Sequence, residues 1–129
     1  MELAHGRPAI ASSYQDGHQV ALGNDGVTTT RWCAGDGALP QSWRVDLGGT
    51  HLLSHFTVRW ELAGREYSYR VETSPDDKVF TTLVTSSVTG TVQSADFPPD
   101  THARYVRIVV TNVVPKEWAS FYEFSVFGF

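Results

Sequence analysis

Short runs of alternating or β-branched residues recur along this chain, punctuated by Gly, Pro and Asp, and no useful length keeps the period of a helix. Residues 43–47 read as a strand closed by Gly48 and Gly49. Residues 52–60 alternate, with Ser54, Phe56, Val58 and Trp60 on one side and His55, Thr57 and Arg59 on the other. A strand over 67–73 ends in the strong turn Ser74-Pro75-Asp76-Asp77. Strands over 79–84, 91–97, 103–111 and 121–127 complete the set, with Pro98-Pro99-Asp100 breaking the chain before the strand over 103–111. Many short strands with turns between them imply an all-β protein, an antiparallel jelly-roll β-sandwich. Four connections are longer than a hairpin needs: 13–18, 33–41, 61–66 and 113–119. In a sandwich, function sits on such loops, held by the rigid scaffold.

Composition narrows the class. At 129 residues, 41% hydrophobic and 12% aromatic, the chain is one globular domain spanning 1–129, with neither internal repeat nor low-complexity linker. No apolar run is long enough to cross a bilayer, and no charged and apolar leader marks a signal peptide. The expectation is a module excised from a larger protein, with Met1 there to start translation. A net charge of −4 with only two lysines leaves no basic face for nucleic acid and disfavours docking on anionic lipid. The single cysteine, Cys33, permits no internal disulfide and reads as a small buried filler.

Two distant segments carry candidate chemistry. Leu22-Gly-Asn-Asp25-Gly26-Val27-Thr-Thr-Thr30-Arg31-Trp32 contains an Asp-Gly turn followed by hydroxyls, and Ser120-Phe-Tyr122-Glu123-Phe-Ser-Val-Phe-Gly128 places one carboxylate in an otherwise apolar strand. Calcium takes six to eight hard oxygen ligands, on the order of what Asp25, Thr30, loop carbonyls and Glu123 would offer together. The plainer reading makes Asp25-Gly26 an ordinary turn and leaves Glu123 facing solvent.

The order of motifs is recognisable along essentially the whole chain. Arg7-Pro8-Ala9-Ile-Ala-Ser12-Ser13, then Asp25-Gly26-Val-Thr-Thr-Thr30-Arg31-Trp32, then Trp43-Arg-Val-Asp46-Leu47-Gly48 resemble the start of a discoidin (coagulation factor C-type) domain. Trp60-Glu61, Tyr69-Arg-Val-Glu-Thr-Ser74-Pro-Asp76, Arg104-Tyr105-Val106-Arg107 and the Tyr122–Gly128 segment continue it in register. The nearest branch resembles family 32 carbohydrate-binding modules, which accompany bacterial enzymes acting on polysaccharides. The resemblance implies a jelly roll with one structural calcium, held by the Leu22 carbonyl, Asp25, the Val27 carbonyl, Thr30, the Tyr122 carbonyl and Glu123. Position 27 is usually Asn or Asp in the family and is Val here, a departure that leaves the carbonyl available. It also implies an extracellular bacterial parent, a non-catalytic role, and an oligosaccharide or polysaccharide partner bound by a monomeric module within a multidomain enzyme.

A sugar site needs an exposed ring for the flat C–H face and polar groups for the hydroxyls. Trp118, in the polar loop Pro115-Lys-Glu-Trp-Ala-Ser, is the best ring, and Tyr14 a second. Trp32 and Trp43 flank or lie on strands at positions where the resemblance implies core packing, and Trp60 ends an alternating strand on its apolar side. Arg31, Asp36 and Glu61 join Trp118 as a constellation on one rim, with His18 and Arg65 as further polar candidates; each is otherwise a solvated loop charge. The acids Asp16, Asp36, Glu61, Glu66 and Glu117 suit a cationic amino sugar such as glucosamine better than a uronic acid, while galactosyl and N-acetylhexosamine glycans are what the resemblance implies by default. Two alternatives compete. Asp36 and Glu61 drawn as a glycosidase pair would need a deep cleft that short strands do not supply. A lipid- or protein-binding adhesion module would use apolar spikes, for which the loops offer only Leu39 and Leu62.

Overall fold

The expected alternation forms two β-layers stacked face to face in a computed structural model that describes every residue from Met1 to Phe129. The elements run β1 (Ala9–Ala11), a 3-10 turn (Val20–Gly23), β2 (Trp32–Cys33), β3 (Gln41–Trp60), β4 (Glu66–Ser74), β5 (Thr81–Thr89), β6 (Val92–Asp96), β7 (His102–Val114) and β8 (Ser120–Gly128). All pairings are antiparallel, with β2–β8–β3–β7–β4–β5 as the main path and β1 and β6 both added to β3.

The segments 43–47 and 52–60 are one strand, not two. Gly48 adopts φ +85°, and β3 turns a corner there without ending. Its first half pairs with β1 and β7, from Gln41↔Val110 to Asp46↔Tyr105, and its second half pairs with β6 and β8. One bent strand therefore belongs to both layers, which is how the sandwich closes at that edge. Strand 79–84 is likewise displaced to Thr81–Thr89, because the Asp76 carboxylate accepts the N–H groups of Lys78 and Val79 and extends the turn. Ser54 does not share a face with Phe56. It is the extra residue of a bulge between Leu53↔Gly128 and His55↔Phe127, which sends Leu53 into the core instead.

Twenty-four buried apolar residues (24) form one continuous core between the layers. Phe121 lies at its centre, with its ring centroid 5.1 Å from Trp32, 5.6 Å from Trp43 and 6.1 Å from Trp60 in tilted or edge-on contacts. These indoles also fasten the surface. Trp32 donates its ring N–H to the Ser13 carbonyl at 3.0 Å, and Trp43 donates to the Val20 carbonyl at 2.9 Å. The loop between β1 and β2 is thus anchored from below, and it borders the site described next.

Candidate functional site

Three of the long loops meet at one end of the sandwich around a shallow, open cavity of about 250 Å³, lined by Gln15, Arg31, Cys33, Glu61, Leu62, Glu117 and Trp118. Backbone hydrogen bonds bring the loops together. Gln15 N–H donates to the Cys33 carbonyl at 2.9 Å, Ala34 N–H to the Ala119 carbonyl at 2.9 Å, and Glu61 N–H to the Ser120 carbonyl at 3.2 Å. Residues from near both ends and the middle of the chain become neighbours through strands β2, β3 and β8.

Arg31 is held from three directions. Its guanidinium donates to the Ser120 hydroxyl at 2.9 Å, pairs with Glu61 at 3.4 Å and meets His18 Nε2 at 3.3 Å. The Ser120 hydroxyl in turn donates to the Trp32 carbonyl, so the arginine is positioned from the core outward. Glu117 accepts the backbone N–H of Trp118 at 3.1 Å and lies 3.9 Å from Arg65. Below the rim, Tyr67 stacks on Trp60 with centroids 4.2 Å apart, and its hydroxyl accepts the Leu62 N–H. Burial, reinforced by the Glu61 and Glu117 charges, pushes the Tyr67 phenol up to about 12 although the Leu62 N–H and Arg65 oppose it, so it stays protonated. The Cys33 thiol is buried, and burial raises it against the opposing influence of Arg31, which makes it a packing group of the cavity floor.

Trp118 differs from the other three tryptophans. Trp32, Trp43 and Trp60 are buried, and each donates its ring N–H to a protein acceptor, Trp60 to Gln93 Oε1 at 3.0 Å. The Trp118 ring is half-buried, and no protein group accepts its N–H. Gly37 lies against that edge: a Cβ there would stand 3.0 Å from the indole nitrogen, so the absence of a side chain at position 37 lets the loop support the ring without covering it.

Of the residues singled out as ligand contacts, Arg31, Glu61 and Trp118 share the cavity, and His18 adjoins it through Arg31. Asp36 is turned into its own loop, accepting the Ala38 N–H at 2.8 Å and a proton of the Gln41 amide at 3.3 Å. It does not line the cavity with Glu61. Tyr14 stands exposed, also outside it. Leu39 packs against the core and Leu62 lines the cavity, so neither projects as an apolar spike. Gln15, Cys33 and Leu62 are cavity residues that the sequence did not single out as sugar contacts, and Glu117 entered only as one of the loop acids. Glu117 and Leu62 had the signal of adjacency to Trp118 and Glu61; Gln15 had only its place in the 13–18 loop.

The Asp25 loop meets β8 as well. Thr30 Oγ1 donates to Asp25 at 2.6 Å and approaches the Val27 carbonyl at 3.2 Å, Val27 N–H donates to Asp25 at 3.0 Å, and Gly26 N–H donates to Glu123 at 2.8 Å. Tyr122 is the extra residue of a bulge between Arg59↔Glu123 and Trp60↔Phe121, which takes it out of the regular ladder. Glu123 therefore does not simply face solvent. Burial and the nearby Asp25 and Glu2 carboxylates push it up to about 7, although the Gly26 N–H and Arg59 draw it down. No group of three or more His, Cys, Asp or Glu side chains is arranged to hold a metal. The acceptors and hydroxyl shown to converge are all oxygens, the Asp25 and Glu123 carboxylates with the Thr30 hydroxyl and the Val27 carbonyl, a set that suits a hard cation and not a transition metal.

The F5/8 type C domain family matches residues 8–124. Among solved structures, chitosan-binding module 1 from a chitosanase/glucanase of Paenibacillus sp. IK-5 is 31% identical with a TM-score of 0.90, the match covering 99% of this chain and 99% of that one. Chitosan-binding module 2 from a chitosanase/glucanase of the same organism, in complex with chitotriose, is 29% identical with a TM-score of 0.88 over 98% and 99% of the two chains. A Clostridium perfringens family 32 module in complex with GalNAc-β-1,3-galactose shares the fold at 24% identity and a TM-score of 0.87, over 99% and 100%. No curated protein matches in sequence. Matched from Pro8 to Phe124 and superimposing end to end on such modules, the chain belongs to the F5/8 type C, or discoidin, domain family.

Proposed function

We propose that this chain is a non-catalytic carbohydrate-binding module whose Trp118 cavity takes an amino sugar of a chitosan-like glycan. The observation that carries this is the joining of Arg31, Glu61, Glu117 and a Trp118 ring with a free N–H in one open cavity. The ring offers a stacking face, Gln15 and Arg31 offer hydroxyl partners, and the Glu61 and Glu117 carboxylates, held only loosely by Arg31 at 3.4 Å and Arg65 at 3.9 Å, suit an ammonium group. The relatives at 31% and 29% identity are chitosan-binding modules, which supports the same class of ligand. A shallow site of this kind holds a monosaccharide at roughly millimolar strength, about −4 kcal/mol, and tethered sister modules would raise the effective affinity. Its task is to keep a linked polysaccharide-active enzyme near its substrate, in a secreted bacterial parent protein.

The proposal includes a structural calcium held by the Leu22 carbonyl, Asp25, the Val27 carbonyl, Thr30, the Tyr122 carbonyl and Glu123. Bound there, the cation would supply positive charge between the carboxylates and pin the early loop to β8. Val27 contributes only backbone to this set, and its side chain is exposed, so the departure from Asn or Asp does not obstruct the loop.

Calorimetric titration of the calcium-loaded module tests the ligand. A glucosamine trimer is expected to bind more tightly than galactose at neutral pH, with binding weakened at least about tenfold in Trp118→Ala. Equal affinity for galactose would remove the amino-sugar assignment and leave a galactose-type module. A folded protein that binds no glycan would point instead to a protein partner.

A further inference from the structure

Glu72 is the one acidic residue among the buried residues of the molecule, and it lies on the outer face of the layer formed by β3, β7 and β4, away from the loop cavity. Both its oxygens are occupied by arginine. Arg107 Nε donates to Oε1 at 2.7 Å and Arg70 Nε donates to Oε2 at 2.8 Å, with the Thr82 hydroxyl also donating to Oε2 at 3.3 Å. Burial alone would raise the Glu72 carboxyl, but the two guanidiniums outweigh it and hold it below the ordinary glutamate range, so it remains a fixed negative charge.

Two features exceed what a structural ion pair requires. One carboxylate cannot neutralise two guanidiniums, and Arg44, directly opposite Arg107 on the neighbouring strand, is taken up by its own partner, Asp77, at 3.0 Å. Each arginine also engages Glu72 through Nε alone, and the Nη groups of Arg70 and Arg107 have no acceptor in the protein. Arg107 is further braced by Phe80, whose ring centre is 3.7 Å from the guanidinium carbon.

These two guanidiniums line a recess of about 190 Å³ with Gln41, Ser42 and Val109, and no acidic residue borders it. Ser42 and Arg107 also line a second recess of about 290 Å³, walled by Ile10, Ala11, Ser12 and Phe80 and by Arg44 with its ion-pair partner Asp77, whose charge Arg44 offsets at 3.0 Å. The first suits a planar or tetrahedral oxyanion, which guanidinium forks bind in bidentate fashion. The second has room for the body that carries it, with an apolar wall and hydroxyl groups as for a pyranose. No residue is shared with the Trp118 cavity.

We propose that these adjoining recesses form a second binding site, for an acidic sugar, in which the Nη groups of Arg70 and Arg107 receive the carboxylate or sulfate while the ring rests along Ile10 and Phe80. Glu72 is the positioning residue: it points both forks the same way from beneath. The site is independent of the amino-sugar reading of the loop cavity and carries the opposite charge preference.

The arginine Nε–H resonances of Arg70 and Arg107 report on it directly. Titration with glucuronic acid should shift both saturably, while glucose, and sodium chloride at matched ionic strength, should not. Arg70→Gln should weaken the response at least about fivefold, because it removes one fork while Arg107 still pairs with Glu72. Arg107→Lys keeps a charge on Glu72 but loses the fork, and should weaken it similarly. Trp118→Ala should leave it unchanged, which separates this site from the loop cavity. Shifts that fail to saturate overturn the proposal. Saturation by sodium sulfate at lower concentration than by glucuronic acid overturns the sugar assignment and leaves a site for a free inorganic oxyanion.

Discussion

The aromatic core beneath the loops and the rim above it are built from the same residue type and use it in opposite ways. Trp32, Trp43 and Trp60 surround Phe121, are fully enclosed, and spend their ring N–H groups on the Ser13 carbonyl, the Val20 carbonyl and Gln93. Trp118 keeps one face open, its N–H without an acceptor, and charged groups on either side. A buried tryptophan whose polar atom is satisfied contributes area and a fastening point; one whose polar atom is left free at a surface is equipped to receive something. The distinction lies in the hydrogen-bond account, not in hydrophobicity.

The sharpest way to break this comparison is to remove a ring from each region. Trp43→Ala is expected to lower unfolding stability by about 3–5 kcal/mol, since it opens a cavity beside Phe121 and Phe124 and frees the Val20 carbonyl. Chemical denaturation measures it, and Trp118→Ala in the same assay should cost under about 1 kcal/mol. If both lost the same amount, Trp118 would be a core residue. Calcium offers the next effect. At about a hundredfold above its dissociation constant the ion would contribute about 2.7 kcal/mol, so a chelator should lower the melting temperature of the native chain and leave Asp25→Asn unmoved. An identical melting curve with and without chelator removes the metal from the account.

Binding gives the third test. Trp118→Ala should weaken the glucosamine trimer by at least tenfold, about 1.4 kcal/mol, with the fold intact by circular dichroism. Gly37→Ala should do less, about fivefold or roughly 1 kcal/mol, by pressing a methyl group against the indole edge and tilting the ring without removing it. A Gly37 variant that binds like the native chain would mean the ring is not held by this contact.

Most strands were readable because alternation is local. The run Phe56, Val58, Trp60 needed only its own period to reveal a buried face, and the turn at Ser74-Pro75-Asp76-Asp77 announced itself by residue type. The failures occurred where a single backbone dihedral or a bulge overrode the pattern. Gly48 looked like a stop and proved to be a corner, and the bulge at Ser54 exchanged its expected place with Leu53. In the candidate site, Arg31, Glu61 and Trp118 were nameable from loop position and chemistry. Asp36 was equally nameable, yet its carboxylate turns back to Ala38 and Gln41.

The sequence by itself determined the all-β architecture, the discoidin resemblance, the long loops and the burial of Trp32, Trp43 and Trp60, because each depends on periodicity, motif order or turn chemistry within a few residues. Only the tertiary structure decided which loop charges converge. Arg31 meets Glu61, and Glu117 joins them, through hydrogen bonds between β2, β3 and β8, while Arg70 and Arg107 meet on Glu72 because β4 and β7 align in register. The direction of a polar side chain is set by partners far away in the chain, and no local pattern records where those partners will stand.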